Sequence, residues 1–362
     1  MTIEANITKK CNNWTLSLQF CGGSERLGIL GASGCGKSMT LRCIAGIVKP
    51  DIGYIRINGH TVFDSERKIN LPPQKRHAGL LFQNYALFPN MTVKENLLAV
   101  ARKDTSAVDA MLEKLHLTSL ADCKPAKLSG GEQQRTAIGR MLLSSPEIIM
   151  LDEPLSALDS YLHSAVETEL MQILTEFQQE KRGSVIFVSH NRDEIYRICE
   201  RIIVLQDGKK VADGTTGELF RRPETIAAAR LTGVKNIAPA VIAGKNRLRI
   251  PSWGIELETA QELVGNETHV GVRAYHIRDA LPDEERNCFC CKVERTQSEP
   301  FRIQEHLFPV TATCMEINNK KSLPLIRFVP NTTGPQVIGY LNEEIRRFHI
   351  PPDCVMPLTE CR

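Results

Sequence analysis

Eight residues, "GASGCGKS" from Gly31 to Ser38, combine three glycines, a lysine and a hydroxyl at a spacing suited to the capture of phosphate. Glycines let backbone N–H groups close around phosphate oxygens, Lys37 can reach the β and γ phosphates of a nucleotide, and the Ser38 hydroxyl can ligate Mg²⁺. The stretch follows the apolar run "RLGIL" and leads into a helix-like segment ending near Pro50, which is the context the pattern needs. Cys35, inside the loop, reads either as a small residue facing away from phosphate or as an oxidation-sensitive thiol.

More polar residues follow apolar runs further along. "EIIMLDEP" delivers Asp152 and Glu153 to the end of a buried strand, where Asp152 is placed to hold Mg²⁺ and Glu153 to orient or deprotonate an attacking water. "SVIFVSHNRDE" puts His190 at the end of another, either as a structural histidine or as a contact to a γ phosphate. Gln83, in "GLLFQNYALFPNMTVKENL", is the polar residue at a further strand end. The Tyr85, Leu87 and Phe88 that follow are either local core or an exposed docking surface.

"LSGGEQQR", Leu128 to Arg135, has two glycines, a hydroxyl and a carboxylate but no lysine to neutralise phosphate. Ser129 with Glu132 three positions later forms a capping box ahead of a helix through Ile138, Met141 and Leu142. Such a start points unpaired N–H groups and a positive dipole end outward, a site for an anion that lacks the rest of an active site.

The elements that must position these residues are those of an α/β fold. Short apolar runs alternate with longer helical patterns as far as about residue 230, predicting a largely parallel sheet whose strand ends carry the chemistry. "RIIVLQDGKKVADG" predicts a hairpin turning at Asp207-Gly208. After "LFRRPETIAAARLTGVKN" the texture changes to short runs broken by Pro, Gly and Asn, so the boundary is drawn at Lys235: residues 1–234 form one domain and 235–362 a small β-rich one.

The chain of 362 residues carries a net charge of +3 with both signs interspersed, which speaks against nucleic acid as a partner. No apolar run approaches the roughly 20 residues of a membrane span, and "MTIEANITKKCNNW" lacks the apolar core of a signal peptide. A cytoplasmic chain able to dock on a membrane protein is the expectation. Twelve scattered cysteines indicate reduced thiols. In "NCFCCKV" a strand would put Cys288 and Cys290 on one face and Cys291 on the other, and no nearby His or Cys pair completes a metal site.

In this order, Gly31 to Ser38, Gln83, Leu128 to Arg135, Asp152 with Glu153, "SALD" at Ser156 to Asp159, and His190 resemble the motifs of the ATP-binding subunits of ABC transporters, over about the first 230 residues. The resemblance implies a P-loop NTPase fold, an ATPase using ATP and Mg²⁺, and a head-to-tail homodimer in which "LSGGEQQR" of one copy closes over ATP held by the other. It implies that Gly31, Ala32, Ser33, Gly34, Cys35, Gly36, Lys37, Ser38 and Met39 line the nucleotide, with Ser129, Gly130 and Gly131 reaching it across the interface. Asp159 would couple the two sites, Gln83 would join Ser38 and Asp152 at the metal and link nucleotide to membrane-subunit contact, and Glu153, Gln83 and His190 would serve catalysis. Trp14, in "NNWTLSLQF", matches the aromatic on which the family stacks adenine, the alternative being an ordinary half-buried tryptophan. Ala32, Met39 and Asn191 depart from the family's frequent proline, threonine and aspartate, and none removes a group the chemistry needs.

The segment after residue 235 resembles the small regulatory domains, related to oligonucleotide/oligosaccharide-binding (OB) barrels, appended to importer ATPases; "GVRAYHIRDA" is close to their recurring "GIRPEHI" element. The compact N-terminus, single short domain and ending "FHIPPDCVMPL" look most like importers of molybdate, tungstate or sulfate. Sugar, polyamine and iron importers share the frame. The expected partners are a second copy, membrane permease subunits at the cytoplasmic face and, indirectly, a substrate-binding protein. A soluble ABC ATPase acting on nucleic acid or ribosomes is the rival from another class, and it predicts tandem nucleotide domains, a coiled-coil insertion or a basic surface that this sequence lacks.

Overall fold

The computed structural model describes residues 2–101, 104–156, 160–181, 183–273, 276–303, 306–316, 325–327 and 344–360. The chain divides into two compact units, Met1–Gly217 and Glu218–Arg362. The change of texture at Lys235 lies later in the chain than this division.

The first unit is built on an eleven-stranded sheet. Its strands are β1 (Ile3–Lys10), β2 (Thr15–Gly22), β3 (Arg26–Gly31), β4 (Ile52–Ile57), β5 (His60–Asp64), β6 (Ile69–Asn70), β7 (Ala78–Leu81), β8 (Ile148–Asp152), β9 (Ser184–Ser189), β10 (Arg201–Gln206) and β11 (Lys209–Thr215). The order across the sheet is β6-β5-β4-β1-β2-β11-β10-β3-β9-β8-β7. From β10 to β7 neighbouring strands are parallel. From β6 to β2 every pairing is antiparallel. The sheet is therefore mixed, where the alternation of runs and helices had suggested a largely parallel one. The physical reason is loop length: β1–β2, β4–β5 and β10–β11 are joined by tight turns that can only reverse the chain, whereas a parallel pair needs a long crossover.

Burial follows the same division. Strand β2 alternates exposed and buried residues throughout, as a half-buried strand must, while β8 and β9 are buried at every position. The expected hairpin at Asp207-Gly208 is present, with φ of 48° and 77° at the two turn residues, the left-handed pair that a two-residue turn between twisted strands requires.

Among the described residues as far as 198, six α-helices accompany the sheet: α1 (Lys37–Ala45), α2 (Val93–Leu98), α3 (Thr105–Lys114), α4 (Gly130–Leu143), α5 (Ser160–Lys181) and α6 (Arg192–Ile198). Helix α1 follows β3 directly and packs Leu41 and Ile44 into the core with Ile29, Ile186 and Ile203. Its C-terminal end is closed by Arg76, 1% exposed. This guanidinium donates to the carbonyls of Cys43 (2.9 Å), Ile44 (3.0 Å) and Leu71 (2.8 Å) and to Asn70 Oδ1 (2.8 Å). A cation there satisfies carbonyls that the helix leaves unpaired and complements its dipole.

The second unit holds a short helix, Ile226–Leu231, and small antiparallel sheets. One joins Asn236–Pro239, His269–Val272 and Met356–Leu358; another joins Val241–Gly244, Arg247–Ile250 and Ile255–Glu258. Leu248, Ile250, Trp253, Leu257, Val270, Val272 and Ile350 form its core. The β-rich texture expected there is present. Cys288 opens a strand, Cys288–Ile303, and the side chains of Cys290 and Cys291 lie outside the described residues. Among the described residues no helix is long and apolar enough to cross a membrane, and no group of three His, Cys, Asp or Glu gathers as metal ligands.

Candidate functional site

The phosphate-binding pattern occupies the turn from β3 into α1. Gly36 caps α1 with φ 113° and offers no side-chain acceptor, so first-turn N–H groups stay available to an anion. A Cβ on Gly36 would lie 3.1 Å from the ring of Trp14 and 3.0 Å from Leu16, so glycine answers both the backbone and the space. Trp14 therefore stands beside the loop; it is half-buried and also packs near Gly208 of the hairpin turn. Gly208 N–H donates to the Cys35 carbonyl at 3.1 Å, bracing the loop from β10–β11.

Lys37 is only 5% exposed, and its ammonium donates to the carbonyls of Gly31 (2.9 Å) and Ala32 (3.0 Å). Ala32, Ser33 and Gly34 are exposed, Met39 is half-buried, and Cys35 is buried. Burial pushes the Cys35 thiol above its usual range against the opposing influence of Lys37. Of the two sequence readings, burial speaks against a readily oxidised, exposed thiol.

Three strand ends converge beside this loop. Ser38 donates its hydroxyl to Asp152 Oδ1 at 2.8 Å. Burial raises the Asp152 carboxyl, the Ser38 hydrogen bond lowers it, and neighbouring Glu153 raises it again. Glu153 adopts φ 47°, a left-handed conformation uncommon for a side chain of its size. The backbone turn is held by Glu153 N–H donating to Val188 O at 2.9 Å, across to β9. Its carboxylate Oε2 meets Gln83 Nε2 at 3.3 Å and His190 Nδ1 at 3.2 Å. Gln83 also reaches Ser156 Oγ at 3.5 Å. The structure thus brings Gln83, Glu153 and His190 onto one carboxylate oxygen, beside the Ser38–Asp152 pair.

The loop carrying His190 is fixed by its neighbours. Glu194, buried, accepts from Ser189 Oγ (2.7 Å) and Asn191 Nδ2 (3.1 Å), while Asn191 Oδ1 caps α6 through Asp193 N–H (2.9 Å). Arg197 of α6 makes a two-pronged pair with Glu167 of α5, at 2.5 and 2.8 Å. Sequence reading missed Glu194 and Arg197, because a carboxylate or guanidinium on a short amphipathic helix carries no motif until its partner is known.

"LSGGEQQR" forms the expected capping box. Glu132 N–H donates to Ser129 Oγ (3.4 Å) and Ser129 N–H to Glu132 Oε2 (2.7 Å), which holds the Glu132 carboxyl below its usual range. Gln133 donates to the carbonyls of Pro125 (3.1 Å) and Leu128 (3.2 Å), tying the approach to the helix start. Ser129 is exposed, Gly130 half-buried and Gly131 buried. Within this one chain they make no hydrogen bond to the Ser38–Glu153 cluster. Asp159 lies outside the described residues.

In the segment after Gln83 the sequence left two readings open, and the structure divides them by residue. Tyr85 is buried, whereas Phe88 and Met91 are 45% and 39% exposed.

Residues 15–156 match the family model described as ABC transporter. The chain is 38% identical over 251 residues to the spermidine/putrescine import ATP-binding protein PotA of Nitratidesulfovibrio vulgaris, covering 67% of this chain and 65% of that protein. It is 37% identical over 272 residues to the PotA of Bacillus cereus, covering 73% and 77%. The molybdenum import ATP-binding protein ModC of Paramagnetospirillum magneticum is 35% identical over 226 residues, covering 61% of each. The chain thus spans less than two thirds of the length of the first and third of these relatives. Among solved structures, a dimeric post-hydrolysis ATP-binding cassette bound to ADP and Pi aligns with TM-score 0.51 at 29% identity, covering 60% of this chain and 99% of that one.

Proposed function

This chain belongs to the ABC transporter family of ATP-binding proteins, and from that premise we propose that it is the ATP-hydrolysing subunit of an importer, working as a homodimer against membrane permease subunits. The observation that carries the proposal is the meeting of Gln83 and His190 on Glu153 Oε2, at 3.3 and 3.2 Å, beside the Ser38–Asp152 pair.

The chemistry follows from these positions. Backbone N–H groups from Gly31 to Ser38 wrap the phosphates, and Lys37 exchanges its loop carbonyls for β and γ phosphate oxygens. Ser38 Oγ and Asp152 Oδ1 are hard oxygen donors already 2.8 Å apart, a donor set that fits Mg²⁺, with Gln83 as a further oxygen. When bound, the ion neutralises phosphate charge. Glu153 orients the attacking water and takes its proton as the water oxygen bonds to the γ phosphorus and the bond to the β-phosphate oxygen breaks. His190 keeps Glu153 aimed and is placed to contact the γ phosphate. Trp14 beside Gly36 offers a face for adenine. Ser129, Gly130 and Gly131 complete the site from a second copy, a reading supported by the dimeric cassette that aligns with this chain; Asp159 would couple the two sites.

The second unit is read as an OB-like regulatory domain. An oxyanion cargo, molybdate, tungstate or sulfate, is the first reading, supported by the ModC relative and the "GVRAYHIRDA" element. A polyamine cargo is the second, and the relatives named for spermidine and putrescine import support it comparably. The test begins with ATP hydrolysis by the full chain and by Glu153→Gln. The variant should bind ATP normally, accumulate as a closed dimer by size-exclusion chromatography and lose turnover by about a hundredfold or more. Turnover at the wild-type rate would remove Glu153 from its role. Calorimetric titration with molybdate, sulfate and spermidine then separates the two cargo readings.

A further inference from the structure

Helix α4 is capped by Ser129, and near its other end it carries a cation, Arg140, whose partners are backbone carbonyls, an amide oxygen and a ring rather than acids. Arg140 Nη2 donates to the carbonyls of Tyr85 (3.1 Å) and Ala86 (2.7 Å), and its Nη1 lies 3.5 Å from Asn96 Oδ1. The guanidinium also lies over the Phe88 ring, 5.0 Å from its centroid. Among the described residues no carboxylate pairs with it.

The two carbonyls it holds belong to consecutive non-glycine residues in the left-handed region, φ 58° at Tyr85 and 45° at Ala86. Such backbone persists only where its surroundings over-determine it. Here the hold comes from Arg140, from Tyr85 N–H donating to Phe82 O (2.9 Å), and from burial of the Tyr85 ring. Gln83 sits inside this turn.

The later part of the segment is held separately. Asn96 donates to the carbonyls of Phe88, Met91 and Thr92 and accepts from Phe88 N–H at 2.9 Å. Loss of Arg140 would therefore release the turn around Gln83 while leaving the stretch from Phe88 to Thr92 pinned.

We propose that Arg140 is a positioning residue for ATP hydrolysis: by holding the carbonyls of Tyr85 and Ala86 it keeps Gln83 aimed at Glu153, and it ties that aim to the helix whose Ser129 end faces the second copy. The inference rests on the functional reading above. The eleven residue-to-residue rises from Ser129 to Arg140 span about 16 Å of rigid helix, so a movement of α4 on dimer closure carries the Gln83 turn with it. Arginine suits the task because its planar fork serves two carbonyls and a ring face at once.

The experiment measures ATP affinity and steady-state hydrolysis for the full chain, Arg140→Met, Arg140→Lys, Gln83→Ala and the double variant Arg140→Met/Gln83→Ala. Arg140→Met should bind ATP within about threefold of wild type and lose about tenfold in kcat. Lysine, one donor point in place of a fork, should restore part of the loss. If Arg140 acts through Gln83, the double variant will be no slower than Gln83→Ala alone, a non-additivity that a merely structural role would not produce. A wild-type kcat in Arg140→Met, or losses that multiply in the double variant, would overturn the inference. Should Arg140→Met fail to fold, Arg140→Lys decides: reduced kcat at an unchanged melting temperature supports it, and unchanged kcat refutes it. Absence of ATP turnover in the wild-type chain would instead overturn the functional reading on which the inference stands.

Discussion

At the scale of single residues, Lys37 and Cys35 share one loop and have opposite fates. Lys37 is the charge proposed to meet phosphate, and its ammonium is held by Gly31 O and Ala32 O at the loop itself. Lys37→Ala should weaken ATP binding by about a hundredfold, measured by equilibrium titration, because a charge-assisted contact and a loop brace go together. Cys35 is buried and its thiol is pushed up by that burial, whereas Cys21 is exposed. In the native protein at pH 8, iodoacetamide should modify Cys35 at least about tenfold more slowly than Cys21, read by mass spectrometry. Equal rates would mean that the loop opens. The placement of Lys37 in a loop after a strand was legible in the sequence because it depends on neighbours in the chain, and so were the strand-end positions of Asp152 and Glu153. Arg140 and Glu194 were not, because their partners, the Tyr85 and Ala86 carbonyls and the Ser189 hydroxyl, become neighbours only after folding.

At the scale of elements, the strands and their chemistry-bearing ends were readable from apolar runs, but their directions were not. A run such as β2 looks alike whether it pairs parallel or antiparallel, and only its tight turns decide. The end of α1 was equally hidden, since Arg76 lies far along the chain from the carbonyls of Cys43 and Ile44 it serves. The end of α1 thus rests on this side chain together with the left-handed Gly46 cap, whose N–H reaches Cys43 O. Arg76→Ala would take a buried donor from Ile44 O and leave Cys43 O only its Gly46 N–H, a cost of about 2 kcal/mol. Scanning calorimetry should show the transition of the first unit falling, with ATP binding weakened as α1, proposed to face the phosphates, frays. Arg76→Lys should recover only part, since one ammonium cannot reach all four acceptors. A melting temperature unchanged in Arg76→Ala would mean that other groups close the helix end.

At the scale of the whole molecule, each unit has its own apolar core, so acid should act on them differently. In the second unit Arg273, 5% exposed, donates to the carbonyls of Phe220 and Thr232, the latter at 2.9 Å, closing the helix Ile226–Leu231. Near it, burial and then the Arg273 charge push the His276 imidazole from 6.5 down to about 4, with Asp353 opposing. The sign is set by which state takes the proton. Above 6.5 the imidazole is neutral folded or unfolded, and its burial costs nothing in proton binding. As pH falls from 6.5 toward 4 the unfolded chain gains a proton that the folded unit refuses, so stability is lost across that window. Between pH 7.5 and 5 this single group removes about 2 kcal/mol. Calorimetry over that range should show the second unit's transition falling. In His276→Gln, which cannot titrate, most of that dependence should vanish even if the variant starts from a lower melting temperature. An unchanged pH slope in His276→Gln would assign the acid sensitivity to other groups than this buried imidazole.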